Sequence, residues 1–329
     1  MADCPPLFSG LLPEGFRLAL LVREVKTSPD DELSLLLAVG QDAPGDVQIV
    51  PKGAVPKRGE PLVTINDAVD FSLLPLGRDK SALPGVQAKA SSQVVTLPAP
   101  QRGVSALLKL APREYPQLVR NEFLHLAAAK RLGFPVAQAH IVHDQKGAEG
   151  LLVRRFDRDY GQGDEKRLAF EDAGQIMGIV PSQKYSVHTE DLILQIAEAA
   201  SAPESAKFAL YTQFVFSWLV GNGDLHAKNV ALLHSEDRWQ VSPIHDVVCT
   251  LLYGDKTMAL PVDGRAGNLR RRHWDNLAAA VGLPSRARDL ANIRALRAAA
   301  AVSLEEVGIT GSPLNGALRE LRHRRGELS

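Results

Sequence analysis

This chain of 329 residues has few cysteines, few aromatic residues and no surplus of either charge. Its two cysteines, Cys4 and Cys249, lie far apart and lack the spacing of metal ligands, which argues against a disulfide framework and favours a reducing compartment. Basic and acidic side chains both number 38, so the formal net charge is zero. This balance argues against nucleic acid as the main partner.

The sequence also lacks the apolar runs of secreted and membrane proteins. Its N-terminus has neither the basic start nor the apolar core of a signal peptide. The most hydrophobic stretch contains Lys207 and Gln213 and is shorter than the ~20 apolar residues that span a bilayer. Apolar residues make up 45% of the chain, which is enough for a buried core, and this length favours two lobes. We therefore expect a cytoplasmic protein.

The strongest chemical signal is the stretch Gly221 to Asn229, which reads GNGDLHAKN and follows a long apolar segment. In this stretch Asn229 comes five residues after Asp224, and a second aspartate, Asp246, comes after a strand-turn-strand pattern. Phosphoryl transfer needs one carboxylate that accepts the proton of the attacking hydroxyl, and an amide and a carboxylate that bind Mg²⁺. We therefore predict that Asp224 is catalytic and that Asn229 and Asp246 are metal ligands.

Two other residues of this stretch are candidates for cofactor binding, His226 and Lys228. Histidine is a common general base, so His226 has a possible catalytic role. In loops of this kind, however, the histidine more often orders the loop by packing and hydrogen bonding. We favour the ordering role for His226.

The first half of the chain carries further candidates for nucleotide binding. A loop of small residues precedes two strand-like runs, and backbone N–H groups in such a loop can close over phosphates, although a Pro-Gly pair is usually only a turn. Lys109 lies within the second run, Val104 to Leu110, which is otherwise apolar. It is either a partner of a nucleotide phosphate or an edge-strand lysine with its ammonium group in water. The loop candidates are Gly85, Val86, Gln87 and Lys89.

Helical spacing of apolar residues predicts an amphipathic helix over residues 115 to 132, ended by Gly133. Glu122 lies beside the apolar face of this helix. It is either a partner of Lys109, as in kinase folds, or a solvated glutamate.

The run Leu151 to Arg158 is typical of a buried strand that leads into a charged turn, where a hinge between lobes is expected. The backbone near Arg154 and Phe156 would there face an adenine ring. We expect the side chains of Arg154 and Arg155 to be plain surface charges.

Periodicity and breaker residues predict the remaining elements. Strands predominate in the first part and helices in the second, which indicates an α+β fold of the two-lobed protein-kinase-like class, with lobes at residues 1–153 and 154–329. Predicted helices cover residues 16–25, 32–39, 170–179, 189–200, 204–220, 272–281, 285–307 and 312–325. Ser28 or Asp30 is expected to cap the helix at residues 32–39. Predicted strands cover residues 47–50, 93–97, 229–233 and 239–241.

Taken together, several stretches resemble the HipA family of serine/threonine kinases, the toxins of HipBA-type toxin–antitoxin systems. The resemblance covers about residues 10 to 300, and its most specific parts are the GNGDLHAKN loop and the Arg-Phe-Asp-Arg hinge. The stretches that carry it are Pro84 to Lys89, Asn121 and Glu122, Val153 to Arg158, Lys184 and Tyr185, Gly221 to Asn229, and Asp246.

The resemblance implies a function and a role for each candidate residue. Family members transfer a phosphate from ATP to aminoacyl-tRNA synthetases, which stalls translation and growth, and they bind a helix-turn-helix antitoxin that represses the operon. DNA would be contacted only through that HipB-like antitoxin. By resemblance, Asp224 is catalytic, Asn229 and Asp246 bind Mg²⁺, Lys109 contacts the ATP phosphates, the backbone near Arg154 and Phe156 holds adenine, and Lys89 closes the Gly-rich loop.

The sequence departs from the family pattern in two places. In full-length HipA proteins a small β-rich subdomain precedes the stretch that resembles Leu11 to Gly15, which here lies almost at the start. The chain therefore resembles the shortened HipT toxins of HipBST systems, and we expect a separate HipS-like protein to supply the missing part. In the Gly-rich loop, Ala82 and Pro84 occupy the positions of the autophosphorylated serines, and Ser81 is one residue out of register. We therefore expect self-inhibition through this loop to be weak or absent.

Two alternatives stay open at this point. A small-molecule kinase of the aminoglycoside or choline phosphotransferase type shares a Gly-Asp-Leu-His-x-x-Asn loop, so Gly223 to Asn229 alone does not distinguish it from a protein kinase. A pseudokinase that acts as a corepressor is favoured only by the altered Gly-rich loop.

Overall fold

A computed structural model describes residues 4–56, 69–74, 95–99, 104–160 and 165–329. The chain divides into two compact units: the first comprises Met1–Val119 and Gln138–Phe170, and the second Arg120–Ala137 and Glu171–Ser329. The functional lobe boundary between residues 153 and 154 stays a prediction. Within the described ranges, no helix combines the length and the apolar character that a membrane crossing requires.

The first unit begins with three helices, α1 (Pro6–Ser9), α2 (Gly15–Val25) and α3 (Glu32–Val39). The predicted bounds of the last two are confirmed within a residue. Neither Ser28 nor Asp30 caps α3, because Asp31 does so: its side chain accepts a hydrogen bond from the Ser34 N–H at 3.3 Å. A small core lies among these helices. It contains Leu11, Leu12, Leu21, Leu35, Leu36 and Ala43.

The first unit also contains a four-stranded sheet. Its strands are β1 (Val95–Pro98), β2 (Ala106–Leu110), β3 (Ala139–His143) and β4 (Glu149–Arg154), in the spatial order β1-β2-β4-β3 with antiparallel neighbours. Strand β2 is therefore an interior strand. A two-stranded ribbon of β5 (Arg158–Asp159) and β6 (Lys166–Arg167) follows. The predicted strand at residues 47–50 is wrong, because that segment pairs with no strand in the described part of the chain.

The second unit contains most of α4 (Leu118–Ala129), which runs into a 3₁₀ turn at Lys130–Leu132 and ends at Gly133 with φ of 80°. The predicted end of this helix is confirmed. The other helices are α5 (Ala173–Ile176), α6 (Thr189–Ala199), α7 (Pro203–Val220), α8 (Arg271–Ala280), α9 (Ser285–Ala299) and α10 (Ser312–Leu328). Further 3₁₀ turns of the second unit lie at Pro181–Gln183, Ala227–Asn229, Thr250–Tyr253 and Leu304–Val307, and those of the first unit lie at Gly40–Asp42 and Phe71–Leu73.

Two predicted helices need correction. The one at residues 170–179 is instead strand β7 (Phe170–Asp172) followed by the single turn of α5, because β7 pairs into a sheet of order β7-β8-β9 with β8 (Ala231–Ser235) and β9 (Arg238–Val241). The one at residues 285–307 ends at Ala299 and is followed by a separate 3₁₀ turn.

Helix α7 is the centre of the second unit. All its residues from Leu210 to Val220 are buried, as expected for a helix that is apolar on every face. It packs against α6 and α9, and its Tyr211 donates a hydrogen bond to Asn292 Oδ1 at 3.2 Å. A helix buried this completely holds its C-terminal end firmly in place, and the GNGDLHAKN stretch starts at that end.

Candidate active site

Two glycines shape the start of the loop that follows α7. Gly221 ends the helix with φ of 74°, and its N–H donates to the carbonyls of Ser217 and Trp218. At Gly223, a Cβ atom would lie only 2.5 Å from the carbonyl oxygen of Thr257. This close approach of two backbones excludes any side chain at Gly223.

Asp224 is buried, with 2% of its surface exposed. Its backbone N–H, its backbone carbonyl and its carboxylate each form a hydrogen bond. Its N–H donates to Asn222 Oδ1 at 3.0 Å, and its carbonyl oxygen accepts from Asn229 Nδ2 at 2.9 Å. The Tyr185 hydroxyl donates to its carboxylate oxygen Oδ1 at 3.0 Å. The predicted catalytic carboxylate therefore has a fixed position and orientation.

His226 lies beside this carboxylate and is buried. Its Nδ1 accepts a hydrogen bond from the Lys228 N–H at 3.2 Å, so the proton of the neutral ring is on Nε2, which lies 3.9 Å from Asp224 Oδ2. Burial lowers the pKa of His226 well below its usual value, and the charges of Lys184 and Lys228 lower it further, against the opposing charge of Asp246. With its acceptor nitrogen occupied, His226 is better suited to order the loop than to act as a base.

Lys228 forms an ion pair with Asp172, with 3.1 Å between Nζ and Oδ2. Asp172 also caps α5: its Oδ1 accepts from the Gln175 N–H at 2.9 Å, and the Gln175 side chain accepts in return from the Asp172 N–H. Sequence reasoning missed Asp172, although the Asp-x-x-Gln spacing is that of a capping box.

The two predicted metal ligands lie in the same unit. Asp246 adopts a left-handed backbone with φ of 53°. The Asn229 amide nitrogen is bonded to Asp224, which leaves the side-chain oxygen as its possible ligand atom. No group of three or more His, Cys, Asp or Glu side chains able to hold a metal occurs among the described residues. One carboxylate and one amide oxygen nevertheless suit Mg²⁺, which binds to few protein ligands and keeps several waters.

The segment after Asp246 is tied to the rest of the second unit by hydrogen bonds that sequence reasoning did not anticipate. The fully buried Asn121 of α4 donates to the Cys249 carbonyl at 3.1 Å and accepts from the Cys249 N–H at 2.9 Å. Thr250 accepts from the Gly223 N–H at 3.0 Å, and its own N–H donates to Gly221 at 2.8 Å. The partners lie 27 to 128 positions apart in the chain, so no local pattern indicated these contacts.

The environments of Lys109 and Glu122 exclude one interpretation of each. Lys109 lies on the interior strand β2 with 8% of its surface exposed, so it is not an edge-strand lysine with its head in water. Glu122 is 2% exposed and is therefore not a solvated glutamate. Their mutual pairing stays a prediction.

The candidates Gly85, Val86, Gln87 and Lys89, and the loop position Ser81, lie outside the described residues.

The two arginines of the predicted hinge, Arg154 and Arg155, differ in exposure to solvent. Arg154 is exposed, as expected, with its guanidinium 5.0 Å from the centre of the Tyr160 ring. The expectation that Arg155 is a surface charge is wrong. Its side chain is 8% exposed because it forms ion pairs with Asp42 at 2.8 Å and with Asp157 at 2.7 Å.

These ion pairs belong to a buried charge cluster in the first unit. Asp157 also pairs with the fully buried Arg158 at 2.8 Å and accepts from the Gly45 N–H at 2.9 Å. Burial alone would raise the pKa of Asp157, but hydrogen bonds and charges from both arginines lower it. The backbone around Phe156, the predicted adenine contact, is therefore flanked by side chains that the cluster fixes. The Phe156 ring packs against Phe170 with centroids 5.8 Å apart.

Comparison with known proteins connects this architecture to one family. The family model described as "HipA-like C-terminal domain" matches residues 81–303, and the model described as "HipA N-terminal domain" matches residues 1–50. A relative named "Putative kinase Y4dM" from Sinorhizobium fredii is 30% identical over 282 residues, which cover 78% of this chain and 65% of the relative. "Serine/threonine-protein kinase toxin HipA" of Shewanella oneidensis is 27% identical over 286 residues, again 65% of its length. The chain thus spans about two thirds of these relatives.

The fold agrees with the sequence comparison. A solved complex of Shewanella oneidensis HipA with HipB and its operator DNA contains a chain that superposes with a TM-score of 0.70 at 23% identity, covering 98% of this chain and 83% of the other. The predicted α+β kinase-like fold is therefore confirmed as that of HipA. Because the HipA-like C-terminal model alone matches more than half of the sequence, this chain belongs to the HipA family.

Proposed function

We propose that this chain is a serine/threonine protein kinase that transfers the γ-phosphate of ATP to a serine hydroxyl of a target protein. The observation that carries the proposal is the buried Asp224 carboxylate, which accepts a hydrogen bond from Tyr185 and whose backbone carbonyl accepts one from Asn229. Membership of the family and the kinase names of its relatives support it.

The chemical step follows from the position of Asp224. The acceptor oxygen attacks the γ-phosphorus, the bond from that phosphorus to the bridging oxygen breaks, and ADP leaves. The acceptor proton passes to the Asp224 carboxylate, whose Oδ1 already accepts from Tyr185. Asp224 Oδ2 is the oxygen that faces His226 Nε2 and is our candidate for proton acceptance.

Several residues are our candidates for holding magnesium and ATP. Asn229 through its side-chain oxygen and Asp246 through its carboxylate fit a hard cation, which, when bound, neutralises charge that develops on the phosphates. In the first unit, Lys109 and the backbone at Arg154 and Phe156 are our candidates for the phosphates and adenine. We propose that Lys228 and His226 order or contact the phosphate-binding loop. We also propose that the glycine-rich loop from Gly85 to Lys89 closes over the ATP phosphates.

The test replaces Asp224 with asparagine and measures transfer of labelled phosphate from Mg-ATP to proteins of a cell extract. Asp224→Asn should reduce transfer by about 100-fold or more, because general-base catalysis contributes at least this much. Asp237→Asn is a matched control, since Asp237 is exposed in the β8–β9 turn. Near-normal transfer by Asp224→Asn, or transfer that persists after chelation with EDTA, would contradict the proposal.

The biological setting is also part of the proposal. Since one relative is named a HipA toxin and the solved HipA chain of similar fold is in a complex with HipB and operator DNA, we propose a toxin whose partner is a HipB-like helix-turn-helix antitoxin, with DNA contacted through that partner. Its protein target would be an aminoacyl-tRNA synthetase, so phosphorylation would inhibit translation and growth in the cytoplasm, where these enzymes work. Identifying the labelled protein in the extract tests the target, and a labelled small metabolite instead would favour the small-molecule kinase alternative.

A HipS-like small protein is the remaining proposed partner. The helices α1 and α3 expose large apolar side chains: Leu7 and Phe8 are each 37% exposed and Leu33 is 60% exposed. Helix α1 packs against α3, and exposed apolar side chains on neighbouring helices are typical of a docking surface.

A further inference from the structure

The segment Lys184–Tyr185 contacts the catalytic loop in several ways, and the proposed chemistry gives Tyr185 no part in the reaction beyond its hydrogen bond to Asp224. The Lys184 carbonyl accepts a hydrogen bond from the Ala227 N–H at 3.2 Å. The Tyr185 ring meets the His226 ring edge-on, with centroids 5.0 Å apart and planes at 84°. The Tyr185 hydroxyl reaches Asp224 Oδ1 at 3.0 Å. These contacts join one segment to both the backbone and the side chains of the loop.

A carboxylate that serves as a base has two oxygens, and rotation about its last bond exchanges them. The hydrogen bonds from Asn229 and to Asn222 fix the main chain of Asp224 and do not involve its two carboxylate oxygens. The Tyr185 phenol is a donor to Oδ1 and thereby distinguishes the two oxygens. A phenol also keeps its proton at neutral pH, so it holds the carboxylate without competing for the acceptor's proton.

We propose that Tyr185 is a positioning residue for phosphoryl transfer: its hydroxyl holds Asp224 Oδ1 so that Oδ2 is presented to the acceptor hydroxyl. This inference rests on the proposed kinase function. Edge-on packing against His226 fixes the direction of the phenol, and the ammonium group of Lys184, 5.1 Å from the centre of the Tyr185 ring, packs on the ring itself. Tyr185 acts through Asp224, so its loss should affect the chemical step and leave the binding of ATP unchanged.

The experiment compares Tyr185→Phe with Tyr211→Phe, because each removes one phenolic oxygen from the second unit. Tyr211 lies in the core of α7, where its hydroxyl bonds to Asn292 and to the Trp274 carbonyl. Hydrolysis of Mg-ATP to ADP by the full chain gives kcat and KM, with water as the acceptor, and thermal unfolding gives stability. Tyr185→Phe should lower kcat about tenfold, equivalent to about 1.4 kcal/mol, with KM for ATP and Tm nearly unchanged. Tyr211→Phe should lower Tm and leave kcat unchanged.

The outcomes distinguish a failure of the positioning role of Tyr185 from a failure of the proposed kinase function. A Tyr185→Phe protein with wild-type kcat overturns the positioning role while the kinase proposal stands. A rise in KM for ATP together with a fall in Tm would likewise overturn it, since these changes indicate a residue with only a structural role. Phosphate found on Tyr185 by intact-mass measurement would show that its hydroxyl is an acceptor and not a positioning group. A wild-type chain that hydrolyses no ATP and labels no protein overturns the proposed function itself.

Discussion

At the scale of single residues, His125 shows how burial makes stability depend on pH. It lies on α4, fully buried, with Nδ1 2.7 Å from the Asn121 carbonyl oxygen. Its Nε2 has no hydrogen-bond partner among the described residues. Burial lowers the pKa of His125 to about 4, despite the opposing effect of the bond to Asn121. The folded protein therefore keeps this ring neutral over a pH range in which the unfolded chain protonates it.

The low pKa of His125 makes the folded state less stable at acidic pH. As the pH falls from about 6.5 to about 4, the unfolded state takes up a proton that the folded state does not, so stability falls. The full loss attributable to His125 is about 3 kcal/mol, from a difference of about 2.5 pKa units at 1.36 kcal/mol each. Urea unfolding at pH 7 and at pH 4.5 should therefore show a large loss of stability in the wild type. His125→Leu should reduce that loss.

His323 provides the control, because it is exposed on α10. His323→Leu should leave the wild-type pH dependence in place. If His125→Leu and the wild type lose the same free energy of unfolding between the two pH values, the buried neutral ring is not the cause.

At the scale of secondary-structure elements, the ion pair between Lys228 and Asp172 connects the catalytic loop to the start of α5. Two substitutions separate the roles of Asp172. Asp172→Asn keeps a good N-cap but loses the charge that holds Lys228, whereas Asp172→Ala loses both. We expect both variants to reduce phosphate transfer, and only Asp172→Ala to lose about 1 kcal/mol of helix-capping stability as well.

Phosphate transfer and urea unfolding of the two variants measure these effects. Glu190→Gln serves as a comparison, since Glu190 lies in the first turn of α6. Full activity of Asp172→Asn would show that Lys228 needs no carboxylate partner, and equal stability of both Asp172 variants would show that the cap contributes little.

The elements also show what the sequence could and could not predict. Helices with a clear apolar period and a glycine stop, such as α4 with Gly133, were predicted to within a few residues because both signals are local. Residues 170–172 were predicted as helix because their pairing with β8 depends on a strand about sixty positions away. Residues 47–50 show the reverse error, since alternation without a partner strand makes no sheet.

The candidate site divides in the same way. Asp224, Asn229 and Asp246 could be predicted because the chemistry fixes their types and spacing. The residues that hold them could not, because Tyr185 reaches Asp224 across 39 positions and Asn121 reaches Cys249 across 128. Arg155 was predicted at the surface because its partner Asp42 is 113 positions away. Charge is visible in a sequence, but its compensation by a distant segment is not.

At the scale of the whole molecule, the proposed small partner can be tested on the exposed apolar side chains of the first unit. Leu33→Glu places a charge on α3 at a leucine that is 60% exposed and should weaken copurification of a HipS-like protein encoded beside this chain, since burying an unpaired charge is costly. Leu290→Glu on α9 is the matched control, since Leu290 is 45% exposed in the second unit. Copurification unaffected by Leu33→Glu, or no small partner at all, would contradict this surface.

The scarcity of cysteine has a practical consequence. Cys249 is buried against Gly221, where a Cβ would lie 3.1 Å from its sulfur, and burial raises the pKa of its thiol to about 12. In the folded chain a thiol reagent should therefore modify Cys4, which is partly exposed, and leave Cys249 untouched. Once Cys4 is replaced by serine, the rate at which a thiol reagent labels Cys249 measures how often the segment that carries Asp246 opens. Ligands that order this segment should lower that labelling rate, which gives a binding assay that needs no substrate and no fluorophore.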